Sequence, residues 1–266
     1  RGASFCSSDC WQLAIHKILL MISSDKKEKI CDLEASEITF TILLNEKKLI
    51  TLNCSPEKYK YLGLGFLYTS GILQKKKNII SLVINEKQGL MDIKMKGVSL
   101  SSEDIINNNL WIASCQQSEE QKDAPLPIDT SLKISSALVY SLISEMQERA
   151  GFFKLTGGVH SCALVDKQGS IILFSEDISR YNTIDKILGE AFVNDINTED
   201  KIILTSCRIT SGILKKIIIG KLPMVISRAA PTDLAIKLAK RMGITLVGFV
   251  RGKRMNIYTH PERIEV

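Results

Sequence analysis

The chain has 266 residues, 45% of them hydrophobic and 24% charged, averages of globular proteins that exclude a disordered tail, a coiled coil and a collagen-like chain. Its 35 Lys and Arg against 29 Asp and Glu leave +6, a moderate charge that suits phosphate-bearing small molecules or acidic partners. With 6% aromatic residues and no basic stretch interleaved with them, a single-strand nucleic-acid platform is not expected.

The first apolar run, Trp11 to Ile22, is broken by Gln12, His16 and Lys17 and is too short to span a bilayer. No A-x-A-like cleavage site follows it. Residues 1–31 therefore read as an extension carrying an amphipathic helix, on a soluble chain with no membrane partner. Residues 32–112 read as a small α+β domain. Two extended runs, Glu37–Leu44 and Lys48–Asn53, flank the hairpin signal Asn45-Glu46-Lys47. Ser55-Pro56-Glu57 then offers a capping hydroxyl, a proline and an acid for a helix running to about Ser70, with Gly71 as its stop. Strands are expected over Asn78–Asn85 and Gly89–Gly97. The polar stretch after Ser101 reads as a linker, its residues 113–130 forming a mobile loop that carries Cys115.

From residue 131 to 266 the pattern becomes α/β. Leu132, Ala137, Leu138, Leu142, Ile143 and Met146 share a helical face that ends at Gly151. Cys162–Val165 and Ile171–Phe174 flank a turn, and a helix follows with Ile184, Ile187, Leu188, Ala191 and Phe192 inward. Short apolar runs at Ile202–Thr205, Met224–Ser227 and Ile244–Val250 alternate with two further helices. This alternation predicts a mostly parallel sheet covered on both faces. Ligands of such sheets gather at the carboxyl ends of the strands. Here those ends are Thr205-Ser-Cys-Arg208, Ser227-Arg-Ala-Ala230 and Phe249-Val-Arg-Gly-Lys-Arg254, each with arginine.

Four stretches could carry chemistry. Thr156-Gly-Gly-Val-His160 is either a tight turn with a satisfied histidine or a place where backbone approaches a ligand. Glu176-Asp-Ile-Ser-Arg-Tyr-Asn182 is either a capping and salt-bridge cluster, with Asn182 or Thr183 as the cap, or a functional one. Phe249-Val250-Arg251-Gly252-Lys253-Arg254 sets three positive charges after an apolar strand, an arrangement suited to phosphate. No phosphate-binding G-x-x-x-x-G-K-[ST] motif occurs. Cys115 stands in the polar linker, where an exposed thiol can reach two partners in turn. The neighbouring Glu119 and Glu120 work against its ionisation. The other cysteines, at 6, 10, 31, 54, 162 and 207, read as reduced thiols in a cytoplasm, mostly small buried hydrophobes. Cys6 and Cys10 lack the further ligands of a zinc site.

Taken together, Leu62-Gly-Leu-Gly-Phe-Leu-Tyr-Thr-Ser-Gly-Ile72, Thr156–His160, Glu176–Lys186, Ser206-Cys-Arg208, Ala230-Pro-Thr232 and Gly248–Tyr258 resemble the formate dehydrogenase accessory (FdhD) family. The resemblance spans roughly residues 32–266. It implies a C-terminal three-layer domain similar to the cytidine deaminase fold, a smaller N-terminal α+β domain and a homodimer. It also implies a sulfur carrier, closer to a carrier than to a turnover enzyme. A loop cysteine, Cys115 by position, would accept persulfide sulfur from a cysteine desulfurase. The sulfur would pass to molybdenum bis(molybdopterin guanine dinucleotide), bound as a client, for activation of formate dehydrogenase. Phe249 to Arg254 match the family's cofactor-binding segment, with Gly157, Gly158 and His160 expected in the same pocket.

This chain departs from the family in places. The second loop cysteine is Ser118, the histidine and glycine of the E-D-x-G-R-H-N stretch are Tyr181 and Ser179, and the glycine of S-G-R is Cys207. A one-thiol carrier still works if an outside acceptor attacks the persulfide. The alternatives are a cofactor-binding chaperone without sulfur transfer, or Cys162 or Cys207 standing in for the missing thiol. Zinc deamination is excluded, because His160-Ser-Cys162 is not H-x-E and no C-x-x-C occurs.

Overall fold

The computed structural model describes residues 14–22, 27–98 and 127–266. Cys115 and Ser118 lie outside the described residues. The chain begins with a hairpin in which β1 (Ala14–Ile22) pairs antiparallel with β2 (Lys27–Ala35), Ile22 opposite Lys27. The helix expected in the N-terminal extension is therefore a strand. Ile15, Ile18 and Ile22 are β-branched, and pairing along nine residues satisfies a backbone that an isolated amphipathic helix would leave without a partner face.

The smaller lobe is a four-stranded sheet in the order β4-β3-β6-β5, built from β3 (Ile38–Leu44), β4 (Lys47–Cys54), β5 (Ile79–Asn85) and β6 (Leu90–Met95). The β3–β4 hairpin turns at Asn45 and Glu46, whose φ of 51° and 70° define a primed turn matched to strand twist. Asn45 also ties the turn to β6, accepting from Met95 N (2.8 Å) and donating to Val98 O (3.0 Å). Across one sheet face lies α1 (Tyr59–Thr69), and Phe40, Ile42, Leu62, Leu67, Met91 and Ile93 fill the space between. Ser55 does not cap this helix. Its N–H donates to Asp177 Oδ2 (3.2 Å) and its Oγ accepts from Ile178 N (3.2 Å), so it bridges to the larger lobe while left-handed Lys58 precedes Tyr59.

The larger lobe holds a six-stranded sheet in the order β13-β12-β11-β10-β8-β9. Its strands are β8 (His160–Val165), β9 (Ile171–Asp177), β10 (Ile202–Thr205), β11 (Met224–Ser227), β12 (Thr245–Arg251) and β13 (Arg254–Thr259). Only β10, β11 and β12 run parallel. The β8–β9 hairpin joins β10 antiparallel and β12 folds back on itself as β13, so the sheet is mixed rather than mostly parallel. Short connections account for both hairpins, five residues between β8 and β9 and two between β12 and β13, since such turns yield antiparallel neighbours. A minor ladder joins β7 (Ile134–Ser135) to β14 (Ile264–Glu265).

Helices cover both faces of the large sheet. On one side α2 (Ser136–Arg149) sets Val139, Leu142, Ile143 and Met146 against Ala163, Leu204, Ile226 and Val247. The short α3 (Gly151–Thr156) follows it. On the other side α4 (Arg180–Val193), α5 (Ser211–Ile219) and α6 (Asp233–Arg241) bury Ile184, Ile187, Ile213, Ile217 and Ala239 against Leu164, Ile203, Val225 and Leu246. The lobes join where α1 crosses α4, and Tyr68 OH donates to Ile219 O (3.1 Å) beside that crossing.

Candidate functional site

Because β8 runs against β10, its first residue reaches the same edge as the carboxyl ends of the parallel strands. Thr205 faces Cys162, Ser206 N donates to Ser161 O (3.0 Å), and Ser161 N donates to Ser206 Oγ (2.9 Å). The loop after β11 is fixed by Arg228 N donating to Thr205 O (3.3 Å), and Phe249 N donates in turn to Ala229 O (3.2 Å). At this edge opens a cavity of about 560 Å³, lined by Phe153, Gly157, Gly158, His160, Ser206 and Arg228 among others. Gly157 is left-handed (φ 65°) with open space where a Cβ would point, which lets the backbone itself face the cavity. A Cβ on Gly158 would lie 3.1 Å from that of Ala35, so β2 stands at the cavity mouth.

The electrostatics of the edge favour an anion. Burial lowers the pKa of His160, and the guanidinium groups of Arg180 and Arg208 push it the same way against a smaller pull from Asp177, so the imidazole is neutral at neutral pH. Arg180 lies with its guanidinium carbon 4.9 Å from the Tyr181 ring centroid. The Nε atoms of Arg180 and Arg228 are buried without a hydrogen-bond partner among the described residues. Buried donors are nearly always satisfied. Arg228 lines the cavity, and its orphaned guanidinium donor fits a group that brings its own negative oxygens, while Arg180 lies outside the lining but close enough to act on His160.

Of the residues singled out in the sequence, Gly157, Gly158 and His160 line this cavity. The Phe249–Arg254 segment is near the same edge but does not line it. Val250 is buried in the core, Phe249 adopts a positive φ of 54°, and Arg251, Gly252, Lys253 and Arg254 are exposed around the β12–β13 turn. Arg251 has its guanidinium carbon 5.9 Å from the Phe249 ring centroid. Arg228, Arg180 and Ser206 were not assigned to the site from sequence, although the strand ends that carry Arg228 and Ser206 were.

Most of the Glu176–Lys186 stretch holds the lobes together. Asp177 Oδ1 accepts from Ser179 N and Asn182 Nδ2 (both 2.9 Å), while its Oδ2 pairs with the fully buried Lys186 (2.7 Å). Asn182 also donates to Asn53 O (2.8 Å). Asp185 takes bonds from Thr69 Oγ1 (2.6 Å) and Lys216 Nζ (2.8 Å), and burial alone would hold its carboxyl above the usual range. The helix starts at Arg180, so Asn182 and Thr183 lie inside its first turn instead of capping it.

The described core thiols are poor nucleophiles. Burial raises the pKa of Cys162 and Cys207 and pushes that of Cys54 up to about 12. At Cys207 burial outweighs the hydrogen bond that Thr205 Oγ1 donates to Sγ (3.1 Å), which acts in the opposite direction. Among the described residues no helix is long and apolar enough to cross a membrane.

Comparison with known proteins bears on the same residues. The model of the FdhD/NarQ family matches residues 35–265. A sulfur carrier protein FdhD from Bacillus subtilis is 34% identical over 242 residues, covering 89% of this chain and 92% of the relative. One of the same name from Listeria monocytogenes is 36% identical over 237 residues, covering 86% and 90%. A crystal structure of a candidate formate dehydrogenase accessory protein from Desulfotalea psychrophila superposes with a TM-score of 0.77 at 26% identity, covering 95% of this chain and 99% of the other.

Proposed function

From the fact that the chain belongs to the FdhD/NarQ family, we propose that it is a cytoplasmic, homodimeric sulfur carrier serving formate dehydrogenase. Its sulfur would come from a cysteine desulfurase and go to molybdenum bis(molybdopterin guanine dinucleotide), held as a client. The observation that carries this reading is the cavity at the sheet edge, where Arg228 carries a buried Nε donor with no partner among the described residues, beside a neutral His160 on which the charge of Arg180 acts from outside the lining. Those groups suit a diphosphate linkage, and Gly157-Gly158 leaves room for it to approach the backbone. Arg251, Lys253 and Arg254 lie farther out on the β12–β13 turn, where they supply attractive charge to a client entering or leaving. The helix–sheet–helix layering supports the cytidine deaminase-like fold expected of the larger lobe.

Cys115 is the carrier thiol in this reading. Its thiolate attacks the outer sulfur of the desulfurase persulfide, that S–S bond breaks, and the donor cysteine leaves as a thiolate. One sulfur atom moves with no net oxidation. The raised pKa values of Cys54, Cys162 and Cys207 argue against their serving instead. Chain length permits the transfer. Ile128 N is anchored on Met242 O near the start of β12, and the 13 residues from Cys115 to Ile128 reach up to about 45 Å. The seven-residue β12 is only about 23 Å long.

The test is intact-protein mass spectrometry after incubation with a cysteine desulfurase and cysteine, followed by peptide mapping. One added sulfur on Cys115, absent in Cys115→Ala, is the expected result. Ser118 in place of the second loop cysteine favours one other reading, a cofactor-binding chaperone. That reading predicts no added sulfur while guanine nucleotide still binds.

A further inference from the structure

One wall of the cavity is α3, a six-residue helix too short to be stable by its own hydrogen bonds. Its leading amides are held from outside. Phe152 N donates to Glu176 Oε2 and Phe153 N to Glu176 Oε1, both at 2.9 Å, and Ser161 Oγ donates to Oε1 at 3.3 Å. At the other end of the helix, Gly157 N donates to Phe153 O (2.8 Å), Thr156 Oγ1 to Phe152 O (2.9 Å) and Gly158 N to Thr156 Oγ1 (3.2 Å). An unbroken chain of hydrogen bonds therefore runs from the Glu176 carboxylate through α3 to the glycines at the cavity mouth. Glu176 itself is buried and does not line the cavity.

We propose that Glu176 is a positioning residue for the client site: its carboxylate anchors α3, and through α3 sets the Phe153 and Gly157-Gly158 wall against which the nucleotide part of the client binds. This rests on the reading of the cavity as a guanine nucleotide site. The anchoring needs the ionised form. Both oxygens accept from N–H groups, and a proton on either makes that oxygen a poorer acceptor and removes the charge that strengthens both bonds. Burial raises the pKa of Glu176, and Glu57 adds to the rise against the Phe153, Phe152 and Ser161 hydrogen bonds. Around it stand Lys186 of α4, whose Nζ donates to the Glu176 backbone carbonyl (3.3 Å), the adjacent Asp177 on β9, His160 on β8 and Lys154 on α3. Of these, His160 acts with the opposite sign, since an imidazolium in the cavity would tighten anion binding at low pH.

The experiment is GDP binding by titration calorimetry from pH 8 to pH 5, with melting temperature measured alongside, on the wild-type chain and Glu176→Gln. The expected outcome is a wild-type affinity that falls toward pH 5. The glutamine variant should bind about tenfold more weakly at pH 8 and show a shallower fall, the remaining pH dependence coming from His160 and from the GDP terminal phosphate, which protonates at about pH 6. Glu176→Asp, which keeps the charge, should recover part of the affinity. Unchanged GDP affinity in Glu176→Gln, or a weaker affinity with the wild-type pH profile intact, overturns the proposal and leaves the site reading standing. No GDP binding by the wild type overturns the site reading and this proposal with it. Should the glutamine variant fail to fold, His160→Gln decides, because with the opposing imidazolium removed an affinity that is flat or rises toward pH 5 contradicts a carboxylate anchor.

Discussion

Gly65 of α1 and Gly189 of α4 meet backbone to backbone. A Cβ on Gly65 would sit 1.8 Å from the carbonyl oxygen of Asp185, and one on Gly189 would sit 2.0 Å from that of Tyr61. No rotamer change can relieve a clash with a main-chain oxygen. Gly65→Ala is expected to cost about 3 kcal/mol or more of folding stability, read as a lower urea midpoint. Gly71→Ala is expected to cost less, because it strains one positive φ but meets no neighbour.

Beneath that crossing, Asp177 and Lys186 form a pair with both side chains fully buried. Asp177→Asn leaves the buried ammonium with only the more distant Glu57 carboxylate (3.8 Å) and also disturbs the bonds from Ser55 N, Ser179 N and Asn182. A loss of about 3–5 kcal/mol is expected, measured by chemical denaturation. Exchanging the exposed pair of Lys94 and Glu46 for neutral residues should leave the denaturation midpoint nearly unchanged.

Arg228→Gln separates binding from stability. It removes a buried donor that has no partner among the described residues, so the melting temperature should stay level or rise. GDP affinity should fall about tenfold or more, with a shallower dependence on salt. Equal affinity in the variant would show that the phosphates sit elsewhere, the exposed β12–β13 turn being the first place to look.

Thiol accessibility follows from burial. In the folded chain at pH 8, Cys54, Cys162 and Cys207 should resist iodoacetamide, since burial holds each of them protonated. They should label once the chain is denatured. Peptide mapping reads this directly, and rapid native labelling of Cys207 would contradict its packing against the sheet.

The pH dependence of stability has a definite sign at His160. Its pKa is lower in the folded chain than in the unfolded one, so between pH 6.5 and the folded value the unfolded state binds more protons. Stability is therefore lost as pH falls through that window. Urea midpoints of wild type and His160→Gln, compared from pH 7.5 to 5, should diverge in favour of the variant on acidification.

Local signals made much of this architecture legible. Asn45-Glu46 marked a hairpin because few residues but asparagine and glycine tolerate left-handed turns, and the apolar runs at Ile202 and Met224 marked buried strands. What misled was pairing at a distance. Nothing local in Ala14–Ile22 announces its partner at Lys27–Ala35, and nothing in Cys162–Val165 says that it will lie antiparallel to a strand some 40 residues later. The site was half readable for the same reason. Gly157-Gly158 and His160 stood out as a motif, whereas Arg228 and Arg180 gain meaning only when three separate segments converge on one edge. The Glu176–Lys186 stretch shows the converse, a dense run of polar residues spent largely on joining two lobes.

The contact of Ala35 with Gly158 also bears on where the chain can be shortened. The family match starts at residue 35, and trimming to that point looks harmless by sequence. Such a fragment would lose β1 and all of β2 except its last residue, leaving the strand end beside Gly158 with no hairpin behind it. Truncated fragments intended for ligand screening or crystallisation should therefore begin ahead of Ala14, so that the rim of the cavity retains its supporting hairpin.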